Sequence, residues 1–325
     1  MDQESIRCGE LLHSIVRAVG TAVIGKEQEI ALVVLALIGG GHVLLEDVPG
    51  VGKTGLVSAL SRAVSCGVKR IQFTPDIMPS DITGFSVYNQ KTGEFEFRPG
   101  AAMSNFVLAD EINRASAKAQ ASLLEVMEEK QVTIDGKTHI LPEPFMVLAT
   151  QNPLDNLGTY PLPEAQIDRF QMKLSLGYPS YEQERRIMAM TEVEKAEVPS
   201  VAAGADILAV REAAARVRVD DSLRNYIADL VTATRGHGSV ALGVSPRGSI
   251  ALYRLSRVRA LYEGRDYVLP DDVKFLAPFV LAHRLILRPE AKLDGLMART
   301  VIGEILEATP IPLPDVERHG RGQVK

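Results

Sequence analysis

The feature that most constrains the fold is a short apolar run interrupted by glycines and followed by a glycine-rich loop. The most apolar window of the chain, Ile30–Leu45, contains a glycine triplet and His42. It is shorter than the roughly 20 residues that a membrane-spanning helix needs, so a helix ending at Gly39 and a buried strand at 42–46 explain it better. The stretch EDVPGVGKTGLVSAL begins where that strand ends. We therefore expect a strand, a glycine-rich loop and a helix in succession, and no membrane span.

The same alternation continues through the first half of the chain. Short β-rich runs separated by helical patterns predict strands at 42–46, 70–73, 105–109, 145–149 and 171–176. Apolar strands spaced by helices imply a parallel sheet that is covered on both faces. From about Ser180 the pattern is helical only, with helices predicted at 180–191, 206–217, 220–234, 246–262 and 270–285. The predicted fold class is α/β with an all-helical C-terminal domain.

The length of 325 residues suggests about two domains. We expect the sheet-containing domain at 1–179, the helical domain at 180–310 and a polar tail at 311–325. The segment 191–205, between the first two helices of the second domain, is typical of a loop or linker.

Two pieces of the first domain, Phe85–Gly100 and Gln131–Pro142, are typical of β-hairpins. The second contains Asp135-Gly136, a pair that readily takes positive φ in a two-residue turn. Ordinary surface hairpins are the alternative to a functional role. Their cations are offset by acids, namely Lys91, Arg98, Lys137 and His139 against Glu94, Glu96 and Asp135. So balanced a surface is poor for tracking phosphates, which argues against a nucleic-acid motor.

Overall charge and cysteine content exclude some classes of protein. The net charge of -5 argues against a generally basic protein that binds nucleic acid or a membrane surface, although a local basic channel is still compatible with it. Cys8 and Cys66 form no spaced motif, which favours reduced thiols in a cytosolic setting. The N-terminus has no signal-peptide organisation. We expect a cytoplasmic protein.

The glycine-rich loop is suited to binding phosphates. Gly50 and Gly52 permit a tight path in which backbone N–H groups converge at a helix N-terminus. Lys53 supplies a charge for the outer phosphates, and Thr54 offers a hydroxyl to Mg²⁺. The usual spacing G-x-x-x-x-G-K-[ST] has glycine where this chain has Asp47, a residue type that tolerates turn geometries, including left-handed ones.

A second interpretation of the same loop is a dinucleotide site. The stretch from Gly50 to Gly55 also satisfies G-x-G-x-x-G, and Asp76 lies about 20 residues further on. The Lys-Thr pair favours a nucleoside triphosphate, since a pyrophosphate bridge needs neither a lysine nor a hydroxyl that binds a metal. A bare strand–helix turn is the third possibility.

Two further strands end at polar residues. Asp110 and Glu111 follow the strand at 105–109, where Asp110 can hold Mg²⁺ and Glu111 can polarise an attacking water. Asn152 follows the strand at 145–149 and can sense the terminal phosphate or position water. Strand ends of an open α/β sheet share one ligand site. The alternatives are two solvated acids at a helix start and a turn residue before a proline.

Six motifs together resemble the MoxR family of AAA+ ATPases, from about Ile24 to His283. They are EDVPGVGKT, LADEINRA, EVMEEKQVTIDG, VLATQNP, GTYPLPEAQIDRF and GVSPRG. The aspartate at the first loop position is a familiar variant there. The resemblance implies an AAA+ P-loop core at 1–179, with a helix-2 insert at 85–100 and a pre-sensor-1 hairpin at 131–142, and a helical lid at 180–310. LDNLGTY and RASAKAQ depart mildly from the family pattern.

The resemblance also implies roles for particular residues. The catalytic set would be Asp110 and Glu111 as Walker B, Asn152 as sensor 1, Arg169 as the arginine finger and Arg247 as sensor 2. The nucleotide would contact Ile24, Gly25, Pro49, Gly50, Val51, Gly52, Lys53, Thr54 and Gly55. Thr54 and Asp110 would hold Mg²⁺.

Both arginines have ordinary alternatives. Arg169 would point into a neighbouring subunit, where a trans arginine can contribute roughly 10³–10⁵ in rate; the alternative is a surface ion pair with Asp168 or Glu164. Arg114 is a weaker candidate for the interface. For Arg247 the alternative is a solvated helix terminus, and its action in cis or in trans stays open.

The expected function is Mg²⁺-dependent ATP hydrolysis by a homo-oligomer, expected to be a hexamer. The resemblance implies a chaperone-like role in maturing client proteins, often ones with von Willebrand factor A domains. An ATP-gated binding switch with little turnover is the second hypothesis, and a nucleic-acid motor is the third. The lid arginines at 254, 257, 259 and 265 could suggest nucleic acid, but interleaved Leu and Val residues favour a solvated amphipathic helix.

Overall fold

The computed structural model describes residues 3–48, 50–152, 160–190 and 197–312. Its helices are α1 (Gln3–Gly20), α2 (Glu27–Ile38), α3 (Lys53–Ala63), α4 (Pro79–Thr83), α5 (Ala117–Glu129), α6 (Glu164–Ile167), α7 (Tyr181–Met190), α8 (Gly204–Arg216), α9 (Asp221–Gly236), α10 (Pro246–Tyr262), α11 (Pro270–Leu281), α12 (Pro289–Leu293) and α13 (Ala298–Ala308). Its strands are β1 (Val43–Glu46), β2 (Val68–Gln72), β3 (Gly84–Asn89), β4 (Glu94–Pro99), β5 (Phe106–Asp110), β6 (Gln131–Ile134), β7 (Lys137–Ile140), β8 (Met146–Gln151), β9 (Met172–Leu174), β10 (Val240–Leu242) and β11 (Ile286–Leu287).

A five-stranded parallel sheet forms the centre of the first half. Its strand order is β2-β5-β8-β1-β9, and every neighbouring pair is parallel. All five strands predicted from the sequence are present, and the prediction of a parallel sheet is confirmed. Four of the five strands are almost completely buried, because helices cover both faces.

Alternate side chains of these strands enter two different cores. Val43 and Leu45 of β1 pack in one core with α1, α2, α3 and helices of the C-terminal region, whereas Leu44 packs in the other core with α4 and α5. Eight of the twelve residues of α2 are buried, because the helix packs against α1, α8 and α10. The C-terminal helices therefore pack on the α1–α2 layer.

The two predicted hairpins are confirmed as two-stranded antiparallel sheets. β3 pairs with β4, and β6 pairs with β7. The β6–β7 turn has φ of 50° at Asp135 and 75° at Gly136, the left-handed conformations that its sequence predicts. The rings of Phe97 and His139 stack with centroids 3.8 Å apart, so one hairpin lies against the other.

The C-terminal half contains the five predicted helices, α7 to α11, and four elements that the sequence did not predict. α12 and α13 follow α11, and β10 pairs with β11 in a small antiparallel sheet. These strands have only three and two residues, too few to show the alternation of apolar and polar residues by which a strand is recognised. Of the predicted linker 191–205, residues 197–203 have no regular secondary structure, and 204 and 205 are the first residues of α8. Residues 191–196 and 313–325 lie outside the described ranges. No helix within those ranges has the length and apolar character to cross a membrane.

Candidate functional site

Three strand ends meet at the carboxyl edge of the sheet. β8 lies between β1 and β5, so the loop after β1, the acids that end β5 and Asn152 after β8 are neighbours. Asn152 is buried, and its carbonyl oxygen accepts a hydrogen bond from Asn113 Nδ2 at 3.5 Å. The structure thus brings together the polar strand ends that the sequence assigned to one site.

The glycine-rich loop has the geometry that a phosphate site requires. φ is 87° at Gly50 and 95° at Gly52, a left-handed conformation that favours glycine. A Cβ atom added at Gly50, Gly52 or Gly55 would meet no atom within 4 Å, so the space above the loop is open. No side chain caps the N-terminus of α3, which leaves its first N–H groups for a ligand.

The loop residues that the sequence predicts to contact a nucleotide differ in their exposure. Lys53 is buried and its Nζ donates to the Asp47 carbonyl oxygen at 3.0 Å, whereas Thr54 is exposed at the start of α3. Val51 is half-buried, and Pro49 lies outside the described residues.

Asp47 has a role that the sequence did not indicate. Its buried carboxylate accepts hydrogen bonds from Ser175 Oγ at 2.7 Å, Leu176 N at 2.6 Å and Gly177 N at 3.0 Å. The suggested reason for an aspartate here was tolerance of left-handed turn geometry, but Asp47 is not among the residues with positive φ. The carboxylate instead fixes the chain that leaves β9 against the start of the loop.

The segment expected to line the adenine pocket contacts the same stretch. Ile24 is buried and Gly25 has a φ of 68°. Gln183 Nε2 of α7 donates to the Gly25 carbonyl oxygen at 3.0 Å, and Lys26 Nζ donates to the Tyr178 carbonyl oxygen at 3.3 Å. The Ile24–Gly25 turn, the residues after β9 and the phosphate loop are therefore connected through hydrogen bonds.

Asp110 is held by two side chains that the sequence analysis missed. Its Oδ1 accepts from Thr150 Oγ1 at 2.6 Å, and its Oδ2 forms an ion pair with Arg70 at 2.5 Å. Thr150 is fully buried on β8, and Arg70 lies on β2. These strands border β5 on its two sides, so only the sheet order reveals the contacts.

Glu111 adopts an unusual backbone conformation. Its φ and ψ are 57° and 49°, and its N–H donates to Thr150 Oγ1 at 2.8 Å. A left-handed non-glycine residue is uncommon and is found where surrounding contacts fix it. The carboxylate accepts from Gln72 Nε2 at 2.9 Å and pairs with Arg114 Nε at 3.2 Å. Arg114, the weaker candidate for the interface, thus contacts an acid of its own chain.

The residues at this edge fit a magnesium-bound nucleoside triphosphate. The Thr54 hydroxyl and the Asp110 carboxylate are hard oxygen donors, which is the ligand type that Mg²⁺ prefers. The open space over the loop glycines, the free N–H groups of α3 and the Lys53 ammonium suit phosphate oxygens. Arg70 has to share or release Asp110 when a cation binds there.

Arg169 and Arg247 lie together, but away from the phosphate loop. Both pair with one carboxylate at the end of α5: Arg169 Nη2 lies 3.1 Å from Glu128 Oε2, and Arg247 Nη2 lies 2.5 Å from Glu128 Oε1. Arg169 Nη1 also donates to the Leu124 carbonyl oxygen at 2.9 Å. The alternative partners considered for Arg169 were Asp168 and Glu164, and neither is its partner.

Asp168 places the two arginines beside each other. Its Oδ2 accepts from Ser245 Oγ at 2.8 Å and its Oδ1 accepts from Arg284 Nε at 2.8 Å. Ser245 is the N-cap of α10, with Pro246 as the first helical residue, so this bond fixes the helix turn that carries Arg247. Arg284 is almost completely buried and also donates to the Phe170 carbonyl oxygen at 2.7 Å.

Topology shows that these arginines belong to the opposite edge of the sheet. They line a cavity of about 350 Å³ together with residues 39–42, which precede β1, whereas the phosphate loop follows β1. Arg169 likewise precedes β9, which is parallel to β1. A strand of four residues separates the two edges by about 13 Å. Neither arginine faces the nucleotide site of its own chain.

His42 connects this edge to the sheet. Its Nδ1 accepts from Val147 N at 2.9 Å, so the protonated Nε2 donates to the Met127 carbonyl oxygen at 3.1 Å. Burial lowers the pKa of His42 to about 4, and the nearby Lys130 and Arg211 act in the same direction. The imidazole is therefore neutral at pH 7.

The fold and these two edges define an AAA+ protein, a class whose models match both halves of the chain. Residues 42–172 match the ATPase family associated with various cellular activities, and residues 232–305 match the AAA lid domain. The crystal structure of a candidate ATPase from Cytophaga hutchinsonii ATCC 33406 superposes with a TM-score of 0.90 at 41% identity, over 96% of this chain and 98% of that one.

Sequence relatives define the family within this class. Chaperone MoxR1 of Mycobacterium tuberculosis is 43% identical over 93% of this chain and 83% of its own length. YeaC of Bacillus subtilis, described as uncharacterized, is 52% identical over 93% of this chain and 95% of its own length. The chain belongs to the MoxR family of AAA+ ATPases.

Proposed function

We propose that this protein is a Mg²⁺-dependent ATPase whose active sites form between subunits of a homo-oligomer, which we expect to be a hexamer. One observation carries the proposal: Arg169 and Arg247 lie at the amino edge of the sheet, and the phosphate loop lies at the carboxyl edge. A second copy of the chain can bring its arginines to the nucleotide of the first.

In this proposal the carboxyl edge holds and activates the reactants. Lys53 and the α3 N-terminus bind the phosphates, while Thr54 and Asp110 hold Mg²⁺, which neutralises developing charge on the phosphate oxygens when it is bound. Glu111 polarises the attacking water and Asn152 orients it. The nucleotide base lies against Ile24 and Gly25.

The amino edge of the neighbour completes the site. Guanidinium groups stabilise the charge that develops during phosphoryl transfer. Asp168 fixes the turn that carries Arg247, and both arginines meet at the Glu128 carboxylate in the isolated chain, so we propose that both act in trans on the same nucleotide.

A chaperone-like action on client proteins is the wider role that we propose. Chaperone MoxR1 carries that description in its name. The hairpins support it, because they expose apolar side chains that a client segment could contact: Phe85, Val87, Tyr88, Phe95 and Ile140. Clients with von Willebrand factor A domains, the division of the chain at 179/180 and a cytoplasmic location stay predictions.

An ATP-gated switch with little turnover is the second candidate. The observation that favours it is the neutralisation of both catalytic acids within the chain, Asp110 by Arg70 and Glu111 by Arg114. Such a protein would bind ATP and a partner without sustained hydrolysis.

The variant Glu111→Gln separates these functions. In an ATPase it keeps ATP bound and stops turnover, because the amide accepts no proton from water; the matched variant Glu129→Gln, at an exposed position, keeps turnover. ATP binding and steady-state phosphate release are measured on both. Sustained hydrolysis in Glu111→Gln would remove the role given to Glu111, and a wild type that binds ATP without turnover would favour the switch.

A further inference from the structure

A small cavity next to Arg169 and Arg247, which together we call the arginine face, is lined by four cations and no acid. It is about 270 Å³ in volume and lies between the end of α2, the end of α5, α8 and α10. We call it the cation pocket, defined by Lys130, Arg211, Arg254 and Arg257 around the backbone of Gly39 and Gly40.

The positive charge of the pocket is only partly compensated within the chain. Arg211 donates to two backbone carbonyl oxygens, those of Leu37 at 3.0 Å and Ile38 at 3.3 Å, and these acceptors carry no net charge. Lys130 has a half-exposed carboxylate, Glu143, at 3.7 Å. Arg211 and Lys130 together thus have one neighbouring carboxylate, that of Glu143.

The two pocket arginines that lie on α10, Arg254 and Arg257, are compensated even less. Arg254 has no hydrogen-bond or ion-pair partner among the residues that the structure describes. The Arg257 guanidinium lies 4.9 Å from the centroid of the Tyr253 ring, and its buried Nε lacks a hydrogen-bond partner. A buried donor without a partner is costly, so this arrangement indicates a ligand that supplies the acceptor.

The four lid arginines differ in their acidic partners. Arg265 makes two hydrogen bonds to the buried Asp272, and Arg259 lies 3.7 Å from the same carboxylate, although its buried Nε also has no hydrogen-bond partner. Arg254 and Arg257 instead line a cavity against the core domain. Arg254 is exposed and Arg257 is half-buried, so the solvated-helix interpretation still describes Arg254, and both side chains in addition border this cavity.

The glycine triplet gives the pocket its wall. Gly40 has a φ of 69°, a left-handed conformation that favours glycine, and its backbone lies beside the Arg211 guanidinium. A Cβ at Gly39 would lie 2.8 Å from the Gln171 side chain and 3.0 Å from Leu255. Glycine at 39 thus lets Leu255 of α10 pack close to the end of α2.

We propose that the cation pocket binds a free, multiply charged phosphate anion, at a site separate from the hydrolysed nucleotide. Guanidinium groups match phosphate oxygens in geometry and stay charged, and three of the four cations are arginines. The pocket shares Gly39, Gly40, Lys130 and Arg254 with the cavity that holds Arg169 and Arg247, so an anion there adjoins the arginine face. The proposal does not depend on ATP hydrolysis.

The probe is inorganic triphosphate, titrated calorimetrically without Mg²⁺ into full-length chain carrying Lys53→Ala, which weakens the phosphate loop. We expect one saturable site per chain. Adding Arg254→Ala and Arg257→Ala should weaken binding by about tenfold for each lost charge-assisted contact.

A charge-matched control uses two exposed lid arginines with acidic partners, Arg216→Ala with Arg224→Ala, which should leave binding unchanged. Far-ultraviolet circular dichroism and thermal unfolding are used to check that each variant folds. Absence of saturable binding, or equal weakening by both double variants, would overturn the site. So would binding that appears only in assembled, nucleotide-loaded chain, since the cations would then belong to the shared ATP site.

Discussion

Asp47 is a buried charge at the first position of the phosphate loop. Its carboxylate accepts three hydrogen bonds from residues 128 to 130 positions later in the chain. Since those residues lead into α7, the aspartate connects the loop to the helical region. A glycine at this position would permit the loop conformation but could not make the connection.

Restoring the usual glycine should therefore harm the protein. Asp47→Gly removes three charge-assisted hydrogen bonds and should lower the free energy of unfolding by about 2 to 4 kcal/mol. Urea unfolding measures this, with Asp47→Asn as the control that keeps one acceptor and loses less. An Asp47→Gly variant as stable as wild type would show that the contacts contribute little.

Thr150 contacts both proposed catalytic residues, Asp110 and Glu111, with one hydroxyl group. It donates to Asp110 and accepts from the Glu111 N–H. The nearly isosteric Thr150→Val removes both bonds without changing side-chain volume much, so kcat should fall by about tenfold or more, since each lost bond releases roughly 1 kcal/mol of positioning. Thr150→Ser, which keeps the hydroxyl, should retain most of kcat; equal losses in both variants would assign the effect to packing.

His42 should make stability depend on pH. Its pKa of about 4 in the folded chain lies below the ordinary value of 6.5, so the unfolded chain binds more protons between these values. The contribution of neutral His42 to the free energy of unfolding is present above pH 6.5 and is lost as the pH falls toward 4. The loss is about 2 kcal/mol at pH 5. Urea unfolding between pH 7 and 5 should show a smaller loss for His42→Gln than for wild type. Burial also lowers the pKa of His283. Because wild type and His42→Gln both contain His283, the difference between their pH profiles reports on His42.

At the scale of elements, Glu128 joins three parts of the fold. It lies at the end of α5 and pairs with Arg169 before β9 and with Arg247 in the first turn of α10. The three side chains are between 31% and 48% exposed, and ion pairs of that kind contribute only about 0 to 1 kcal/mol. In the proposed assembly, the phosphates of a nucleotide bound to a neighbouring subunit can therefore compete with Glu128 for both guanidinium groups.

Glu128→Gln should promote productive assembly. The amide no longer competes with phosphate for the arginines, so half-maximal ATPase activity should occur at a several-fold lower chain concentration, with the free energy of unfolding changed by less than about 1 kcal/mol. Glu129→Gln, one residue further on, is the matched control. Loss of activity without tighter assembly would mean that Glu128 is needed to position the arginines.

The sequence predicted elements better than it predicted contacts. Buried parallel strands such as β5 and β8 leave apolar runs, and the Asp135-Gly136 turn leaves a pair with known backbone preferences, so these were found. The roles of Thr150, Gln72 and Glu128 depend on side chains some 40 or more residues apart in sequence. Such contacts follow from strand order and helix packing, which no local pattern records.

At the scale of the whole molecule, the two groups of proposed site residues lie at opposite edges of one sheet, too far apart to meet within one chain. The phosphate loop and the acids lie where the strands end, and the paired arginines lie where the strands begin. Helices of the C-terminal region pack on the α1–α2 layer, and Asp168 bonds to Ser245 of that region. A head-to-tail arrangement of subunits brings unlike edges together, which is the geometry of a ring.

Mixing two inactive variants tests this shared site most directly. Lys53→Ala removes phosphate binding but keeps the arginine face, whereas Arg169→Ala keeps the phosphate loop but lacks the arginine. Each alone should have little ATPase activity, and their mixture should regain a substantial fraction, because some interfaces then combine an intact loop with an intact arginine. Restored activity is the result we predict; a mixture no more active than its components, or an Arg169→Ala chain with wild-type turnover, would contradict an active site formed between subunits.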